Sequence, residues 1–187
     1  IGVRLVGSEM CIRDSADGDS RRSVALLDIV AWAKIDSAEY AEGYKHTGYF
    51  NHKYIPRAGA TSAQGELNYE MNYRAIRYAD VLLMAAEANN RKTSADDVKA
   101  QNYLNQVRAR AFGDDSNASS STGATLTQEI WDERRLELAM EGQRFFDLVR
   151  TGEAATKIEG FISGKHEVFP IPQTEIDISG LTQNSGY

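Results

Sequence analysis

The sequence predicts a helical fold, because three stretches of the chain repeat their apolar residues with helical spacing. These stretches cover about 73–90, 95–112 and 127–150, and turn-forming residues separate them. The composition agrees with a folded core, since 42% of the 187 residues are hydrophobic and 26% are charged. That balance is typical of a globular chain and not of a disordered one.

The first helical stretch carries a single apolar stripe. Ile76, Ala79, Leu83 and Ala86 follow one another at i, i+3, i+7 and i+10, and Asn90 continues the same line. Residues with this spacing lie on one side of a helix. We therefore expect the stripe to be buried against another element.

The second stretch is predicted as a helix from about Ala95 to Phe112. Ser94 is its expected N-cap, and Gly113 follows it as the residue that ends the helix. Two antiparallel helices joined by a few residues form a helical hairpin, the unit that is stacked in tetratricopeptide-type repeats. The predicted apolar face consists of Val98, Tyr103 or alternatively Gln101, Leu104, Val107 and Ala111.

The third stretch is predicted as one long helix. Thr127 is its expected cap, the helix continues to about Arg150, and Gly152 stops it. We expect the preceding residues 114–125, which are rich in Ser, Asp and Thr, to form a polar loop.

Four charged residues lie along one ridge of this long helix. Arg134, Glu137, Glu141 and Arg144 are spaced i, i+3, i+7 and i+10, so neighbours are within reach of one another. One hypothesis makes Glu137 and Glu141 an acid/base pair. We favour a structural ion-pair ridge, because each Glu has an Arg three residues away that would keep it ionised, which is unsuitable for a general acid.

The rest of the chain shows weaker patterns. We predict a short strand or irregular layer at about Tyr49–Ile55, and an irregular C-terminal segment, 161–187, that wraps over the helices. Residues 1–15 have no helical, strand or capping pattern and resemble a translated sequencing adapter, so we expect them to be a non-native leader. Residues 16–187 are then expected to form a single domain.

The densest aromatic group of the chain precedes the helical stretches. Aromatic faces stack on the C–H surfaces of sugars, so this group is a candidate ligand platform, with Trp32, Tyr44 and Tyr49 as the glycan-contacting residues. The alternative is that these rings pack an irregular layer onto the helices. The group consists of Trp32, Tyr40, Tyr44, Tyr49, Phe50 and Tyr54.

Charge and residue counts argue against several classes of function. The chain has 21 Lys and Arg against 27 Asp and Glu, and no clustered basic face that would bind nucleic acid. A single cysteine, Cys11, provides neither a disulfide framework nor a cysteine zinc site, and three scattered histidines do not indicate a metal cage. We expect no cofactor. No apolar run approaches the roughly 20 residues of a membrane-spanning helix.

Five segments, in their order along the chain, resemble the SusD/RagB family of outer-membrane proteins. The final one has Ser185 where the family usually has proline. The segments are RYADVLLMAAEA (77–88), LNQVRARA (104–111), ERRLELAMEGQRFFDLVR (133–150), FPIPQTEI (169–176) and QNSGY (183–187).

This resemblance implies an all-α fold of tetratricopeptide-like hairpins with an irregular C-terminal wrap, and no catalysis. It also implies a surface-exposed outer-membrane lipoprotein that captures a glycan or another nutrient and docks to a SusC-like TonB-dependent transporter. The match covers the C-terminal part of the family. The signal peptide and the lipidated cysteine of the anchor are therefore expected upstream of this sequence.

Two other classes of function remain open at this stage. The first is a tetratricopeptide-type scaffold that binds other proteins, which requires further 34-residue repeats. The second is a glycoside hydrolase that uses Glu137 and Glu141. Residues four apart on one helix have their Cβ atoms about 5–6 Å apart, but both then lie on one wall and no cleft separates them.

Overall fold

The computed structural model of the protein describes residues 15–36, 39–43, 46–55 and 72–187. Helices dominate these ranges and each strand is three residues long, which confirms the predicted all-α class. In chain order the elements are α1 (Arg21–Val24), β1 (Leu26–Asp28), α2 (Ile29–Asp36), β2 (Tyr49–Asn51), α3 (Tyr78–Arg91), α4 (Asp97–Phe112), α5 (Gly123–Glu137), α6 (Arg144–Arg150), α7 (Ala154–Lys157) and α8 (Gln173–Ser179).

Helices α3 and α4 form the predicted hairpin, and α5 packs across both of them. The stripe predicted on α3 is buried at Ala79, Leu83, Ala86 and Asn90. Burial of a leucine or isoleucine side chain contributes roughly 1.5–3 kcal/mol, so the interdigitated faces of these helices hold the fold together. The largest fully buried side chains are Leu83, Leu104, Val107, Leu126 and Ile130.

Two residues of the predicted apolar faces are exposed to solvent. Ile76 is 73% exposed because α3 begins only at Tyr78. Val98 is also exposed, since it lies in the first turn of α4. The cap of α4 is Asp96 and not the predicted Ser94, because the Asp96 side chain accepts a hydrogen bond from the backbone N–H of Lys99 at 3.0 Å.

The predicted end of α4 at Gly113 is confirmed. Gly113 has φ 84°, in the left-handed region, and its N–H donates to the carbonyl of Ala109. Glycine enters this region without the steric cost that a Cβ imposes, so it commonly follows the last helical residue.

The single long helix predicted over 127–150 is wrong. Helix α5 starts earlier, at Gly123, and stops at Glu137, and α6 begins only at Arg144. The chain turns between them, with Met140 at φ 66° and Gly142 at φ 81°. Both values are incompatible with a continuing right-handed helix.

Tertiary contacts explain why the helix ends there. Ala139 packs against Ala25 and Leu26 in a second, smaller apolar cluster. The main-chain carbonyl of Met140 accepts a hydrogen bond from the Asn51 side chain at 3.1 Å. A continuous helix would engage that carbonyl in its own backbone ladder.

Strands β1 and β2 form an antiparallel pair in which Leu27 faces Phe50 and Asp28 faces Tyr49. The second strand covers 49–51, a shorter range than the predicted 49–55. Successive side chains of a strand point to opposite faces. Tyr49 accordingly packs on the smaller apolar cluster, and Phe50 lies on the other face.

The chain divides into two compact units at residue 142. The described residues up to Gly142 contain the two strands, the hairpin and α5. The second unit, Gln143–Tyr187, contains α6, α7 and α8. Within the described ranges, none of the helices combines the length and the apolar composition needed to cross a bilayer.

The second unit is held by aromatic rings and by its own C-terminal residues. The ring of Phe145 lies 5.6 Å from that of Phe146 and 6.0 Å from that of Phe169. The side-chain amide of Gln183 accepts from the N–H of Ile171 and donates to its carbonyl. These two hydrogen bonds therefore hold the C-terminal residues against the proline-containing segment before α8.

Candidate functional site

Arg77, the last residue before α3, brings Glu137 and Glu141 together. Its Nη1 donates to Glu137 Oε1 at 2.7 Å, and its Nε and Nη2 donate to the two oxygens of Glu141 at 2.8 and 2.7 Å. Nη2 also donates to the main-chain carbonyl of Glu137 at 2.9 Å. One guanidinium thus joins the start of α3 to the end of α5 and to the turn that follows it.

Three arginines surround the carboxylate of Glu137. Arg21 Nη1 donates to it at 3.2 Å, and Arg110 donates through Nη2. The Glu137 side chain is 3% exposed. Burial alone would raise the pKa of Glu137, but the hydrogen bonds and charges of Arg110 and Arg77 outweigh it and hold that pKa below its ordinary value.

Glu141 is bound from the other side by Lys53, which follows β2. Lys53 Nζ donates to Glu141 Oε1 at 2.6 Å and to the main-chain carbonyl of Glu137 at 2.7 Å. Burial lowers the pKa of Lys53, and the hydrogen bond and charge of Glu141 offset only part of that effect. The contact attaches the short sheet to the end of α5.

The charges continue along the buried side of α5. Glu133 accepts from Arg21 at 2.5 Å and from Arg108 at 3.0 Å, and Arg108 also donates to Glu129 at 3.1 Å. We call the connected charged residues the ion-pair network: Asp19, Arg21, Lys53, Arg77, Arg108, Arg110, Glu129, Glu133, Glu137 and Glu141. The network has equal numbers of basic and acidic side chains, so its buried charges are compensated, as burial requires.

The four residues of the predicted ridge have different surroundings. Glu137 and Glu141 are close to each other through Arg77. Arg134 is buried in α5 and donates to Asp80 on α3 at 2.6 Å. Arg144 begins α6 and belongs to the second unit. Because the helix ends between them, the four do not share one helical ridge, and a structural role for the set remains a prediction.

The three predicted glycan-contacting residues also have different surroundings. Trp32 lies on α2 and is 41% exposed. Tyr49 is half-buried against the smaller apolar cluster. Tyr44 lies outside the described residues. Among the described rings, Trp32 and Tyr49 do not stack on each other.

Other aromatic side chains of the same region form two groups. In the first, the rings of Tyr40 and His46 stack at 5.2 Å, and the ring of Phe50 stands edge-on to His46 at 5.5 Å. In the second, Tyr54 and Tyr73 stack at 5.6 Å with an interplanar angle of 21°. These groups offer ring surfaces and polar groups, and the described residues contain no cluster of His, Cys, Asp or Glu arranged to hold a metal.

Sequence reasoning missed the long-range members of the site. Lys53, Arg77 and Arg110 contact Glu137 or Glu141 but stand far from them in the chain, beyond the reach of helical spacing rules. Tyr73 was also missed, since it lies outside the aromatic group that the sequence identifies. One available signal was Arg77, a charged residue next to the start of the helix that carries the apolar stripe.

Comparisons with known proteins give consistent results. The chain is 38% identical over 152 residues to SusD-like protein P2 of Formosa agariphila, a match that covers 72% of this chain and 30% of the relative. It is 31% identical over 137 residues to SusD-like protein P25 of the same organism, covering 64% of this chain and 26% of the relative. The chain thus spans less than a third of the length of either relative.

Two solved structures have the same fold. A laminarin-binding SusD-like protein superimposes with a TM-score of 0.77 at 40% identity, covering 96% of this chain and 37% of that one. Surface glycan-binding protein A from Bacteroides uniformis superimposes with a TM-score of 0.73 at 30% identity, covering 94% of this chain and 39% of that one. The model of the SusD family matches residues 29–187, so this chain belongs to the SusD family.

Proposed function

We propose that this protein binds glycans and delivers them for uptake without cleaving them. The observation that carries the proposal is the similarity, over 96% of the chain at 40% identity, to a protein described as laminarin-binding. The second structural relative is described as a surface glycan-binding protein. Family membership over residues 29–187 supports the same function.

The aromatic residues near the two strands supply the chemistry for this function. The face of an aromatic ring carries partial negative charge and attracts the C–H groups of a pyranose ring. Of the two predicted residues that the structure describes, Trp32 is more exposed than Tyr49. We propose Trp32, Tyr44 and Tyr49 as glycan-contacting residues. The supporting observation is the exposure of Trp32 on α2 beside the strands.

The state of the carboxylates supports binding without catalysis. A glycosidase requires one carboxylic acid with a raised pKa beside a second, ionised carboxylate. Here the pKa of Glu137 is lowered, and Arg77 binds Glu137 and Glu141 together. Both side chains are buried, so each has little surface with which to contact a glycan.

Family membership also supports a location and a partner. We propose that the protein acts at the outer membrane as a surface lipoprotein and docks to a SusC-like TonB-dependent transporter. A test of docking is co-purification with a SusC-like transporter from the same organism after co-expression. Isolation of the transporter free of this protein, in mild detergent, would contradict docking.

Native gels cast with laminarin, xylan, amylopectin or polygalacturonate test the glycan-binding function. We expect at least one polysaccharide to retard the wild-type protein relative to a gel without glycan. Trp32→Ala is expected to reduce that retardation. Ile35→Ala is a matched control, because Ile35 lies on the same helix and is 84% exposed.

Two outcomes of this experiment would count against the proposal. Equal mobility of the wild type in all four gels and in the plain gel would contradict glycan binding. Retardation that Trp32→Ala leaves unchanged would remove Trp32 from the site while leaving the function in place.

A further inference from the structure

Two tyrosines from distant parts of the chain meet beside the ion-pair network. Tyr54 follows β2 and Tyr73 precedes α3, and their rings stack at 5.6 Å with an angle of 21°. Tyr54 is half-buried, and Tyr73 is 65% exposed. The outer side of this pair is thus available to solvent.

The pair is fixed in place by the residues next to it. Lys53 precedes Tyr54 and is bound to Glu141 at 2.6 Å. Arg77 lies four residues after Tyr73 and is bound to the same carboxylate at 2.7 and 2.8 Å. The Tyr73 hydroxyl itself donates to the main-chain carbonyl of Glu141 at 3.5 Å. Both segments therefore converge on Glu141.

A polar group that suits sugar hydroxyls lies beside the rings. Arg74 is exposed, and its Nη2 donates to the main-chain carbonyl of Lys53 at 3.5 Å. A guanidinium has five N–H groups, and within the described part of the chain Arg74 uses one of them. The remaining groups can donate to hydroxyls of a ligand that covers the rings.

We propose that the Tyr54–Tyr73 pair is a saccharide subsite. A pyranose ring stacks on the exposed side of Tyr73, and Arg74 donates hydrogen bonds to its hydroxyl groups. Lys53 and Glu141 are positioning residues that set the place of Tyr54. This subsite rests on the proposed glycan-binding function, and it is separate from Trp32 and Tyr49, with which neither tyrosine has a ring contact among the described residues.

The contacts of Lys53 allow a positioning role to be separated from a role in folding. Its two acceptors, the Glu141 carboxylate and the Glu137 carbonyl, each also accept from Arg77. Loss of the lysine amine therefore leaves neither buried acceptor without a donor. The expected consequence is a displaced Tyr54 in a folded protein.

Isothermal titration with laminarin, xylan, amylopectin and polygalacturonate tests the subsite. For a polysaccharide that the wild type binds, Tyr73→Ala is expected to raise the Kd roughly tenfold, which corresponds to about 1.4 kcal/mol. Tyr73→Trp is expected to retain the affinity, because it retains a ring face. The matched control is Tyr78→Ala, since Tyr78 is 73% exposed and has no ring partner in the described residues.

The outcomes separate this proposal from the function on which it rests. If the wild type binds none of the four polysaccharides, the glycan-binding function fails and the subsite fails with it. If the wild type binds and Tyr73→Ala binds equally well, the subsite is wrong and the function stands. Weaker binding by Tyr78→Ala, to the same extent as by Tyr73→Ala, would also contradict the subsite.

A second pair of variants tests the positioning residue. Lys53→Met is expected to raise the Kd about as much as Tyr73→Ala, with a circular dichroism spectrum like that of the wild type. Lys53→Arg is expected to recover most of the affinity, because it restores a donor to Glu141. Wild-type affinity in Lys53→Met, or no recovery in Lys53→Arg, would contradict the positioning role.

Discussion

Glu137 is a buried carboxylate that accepts hydrogen bonds from three arginines, and its replacement by glutamine removes one charge with little change in shape. Arg21, Arg77 and Arg110 each lose a charged acceptor in this variant. Arg21 retains Asp19 and Glu133, and Arg77 retains Glu141. The loss of stability is therefore smaller than the loss from breaking an isolated buried ion pair.

The magnitude follows from typical contributions of such contacts. Breaking a buried ion pair by removing one partner costs about 3–5 kcal/mol. Because two of the three arginines keep other carboxylates, we place Glu137→Gln at the lower end, near 3 kcal/mol. At roughly 2–4 °C per kcal/mol for a chain of this size, the expected fall in Tm is about 6–12 °C.

Differential scanning calorimetry at pH 7 measures this change directly. Asp132→Asn is the matched control on the same helix, because its side chain is 51% exposed and lies 3.9 Å from Arg135. Surface pairs contribute little, so this control should remain within about 0.5 kcal/mol of the wild type. A Tm for Glu137→Gln within 2 °C of the control would refute the buried network.

Two further predictions concern acid stability and the turn after α5. Because the pKa of folded Glu137 is below its ordinary value of 4.5, its contribution is complete above that value and is lost as the pH falls through the folded pKa. In an acid titration followed by circular dichroism, Glu137→Gln should lose less stability below pH 4.5 than the wild type, and equal losses would contradict this. Gly142→Ala should lower the free energy of unfolding by about 1–2 kcal/mol, since φ is 81° although space for the methyl group is open. Denaturation in urea checks this value, and an unchanged midpoint would show that the turn can relax.

The parts of the fold that depend on local spacing could be predicted from the sequence. The stripe with Leu83 and Ala86 is buried as expected, because helical periodicity reports one-sided burial directly. The face with Leu104 and Val107 is buried for the same reason. Gly113 ends its helix for a local reason as well, its left-handed backbone. Two of the five segments that resemble the SusD/RagB family coincide with these helices, and the family match confirms the resemblance.

The break after Glu137 could not be predicted from spacing, because its causes are distant in the chain. Residues 138–150 continue an apolar helical pattern, whereas Ala139 and Met140 contact the strand region at the point where the helix ends. Gly142 was the one local sign of a turn. The same limit applies to the ion pairs, since spacing rules assign Glu137 a neighbour on its own helix, whereas Arg21 and Arg77 come from other segments.

The exposure of individual aromatic side chains is a third feature that could not be predicted from the sequence. The sequence identifies a group of rings, but the choice between Tyr49 and Phe50 as the exposed one depends on which strand face is covered. Tyr49 packs on the smaller apolar cluster, so its exposed area is small compared with that expected of a platform residue. Tyr73 becomes part of an aromatic pair only through the fold.

The central claim is that this protein binds glycans without cleaving them, and one titration tests both parts. The protein is titrated with laminarin, xylan, amylopectin and polygalacturonate in a calorimeter, and the recovered glycans are then sized by chromatography. The account predicts saturable heat with at least one of them and unchanged chain lengths in all. Absence of heat with all four, or chain shortening that disappears in Glu141→Gln, would contradict it.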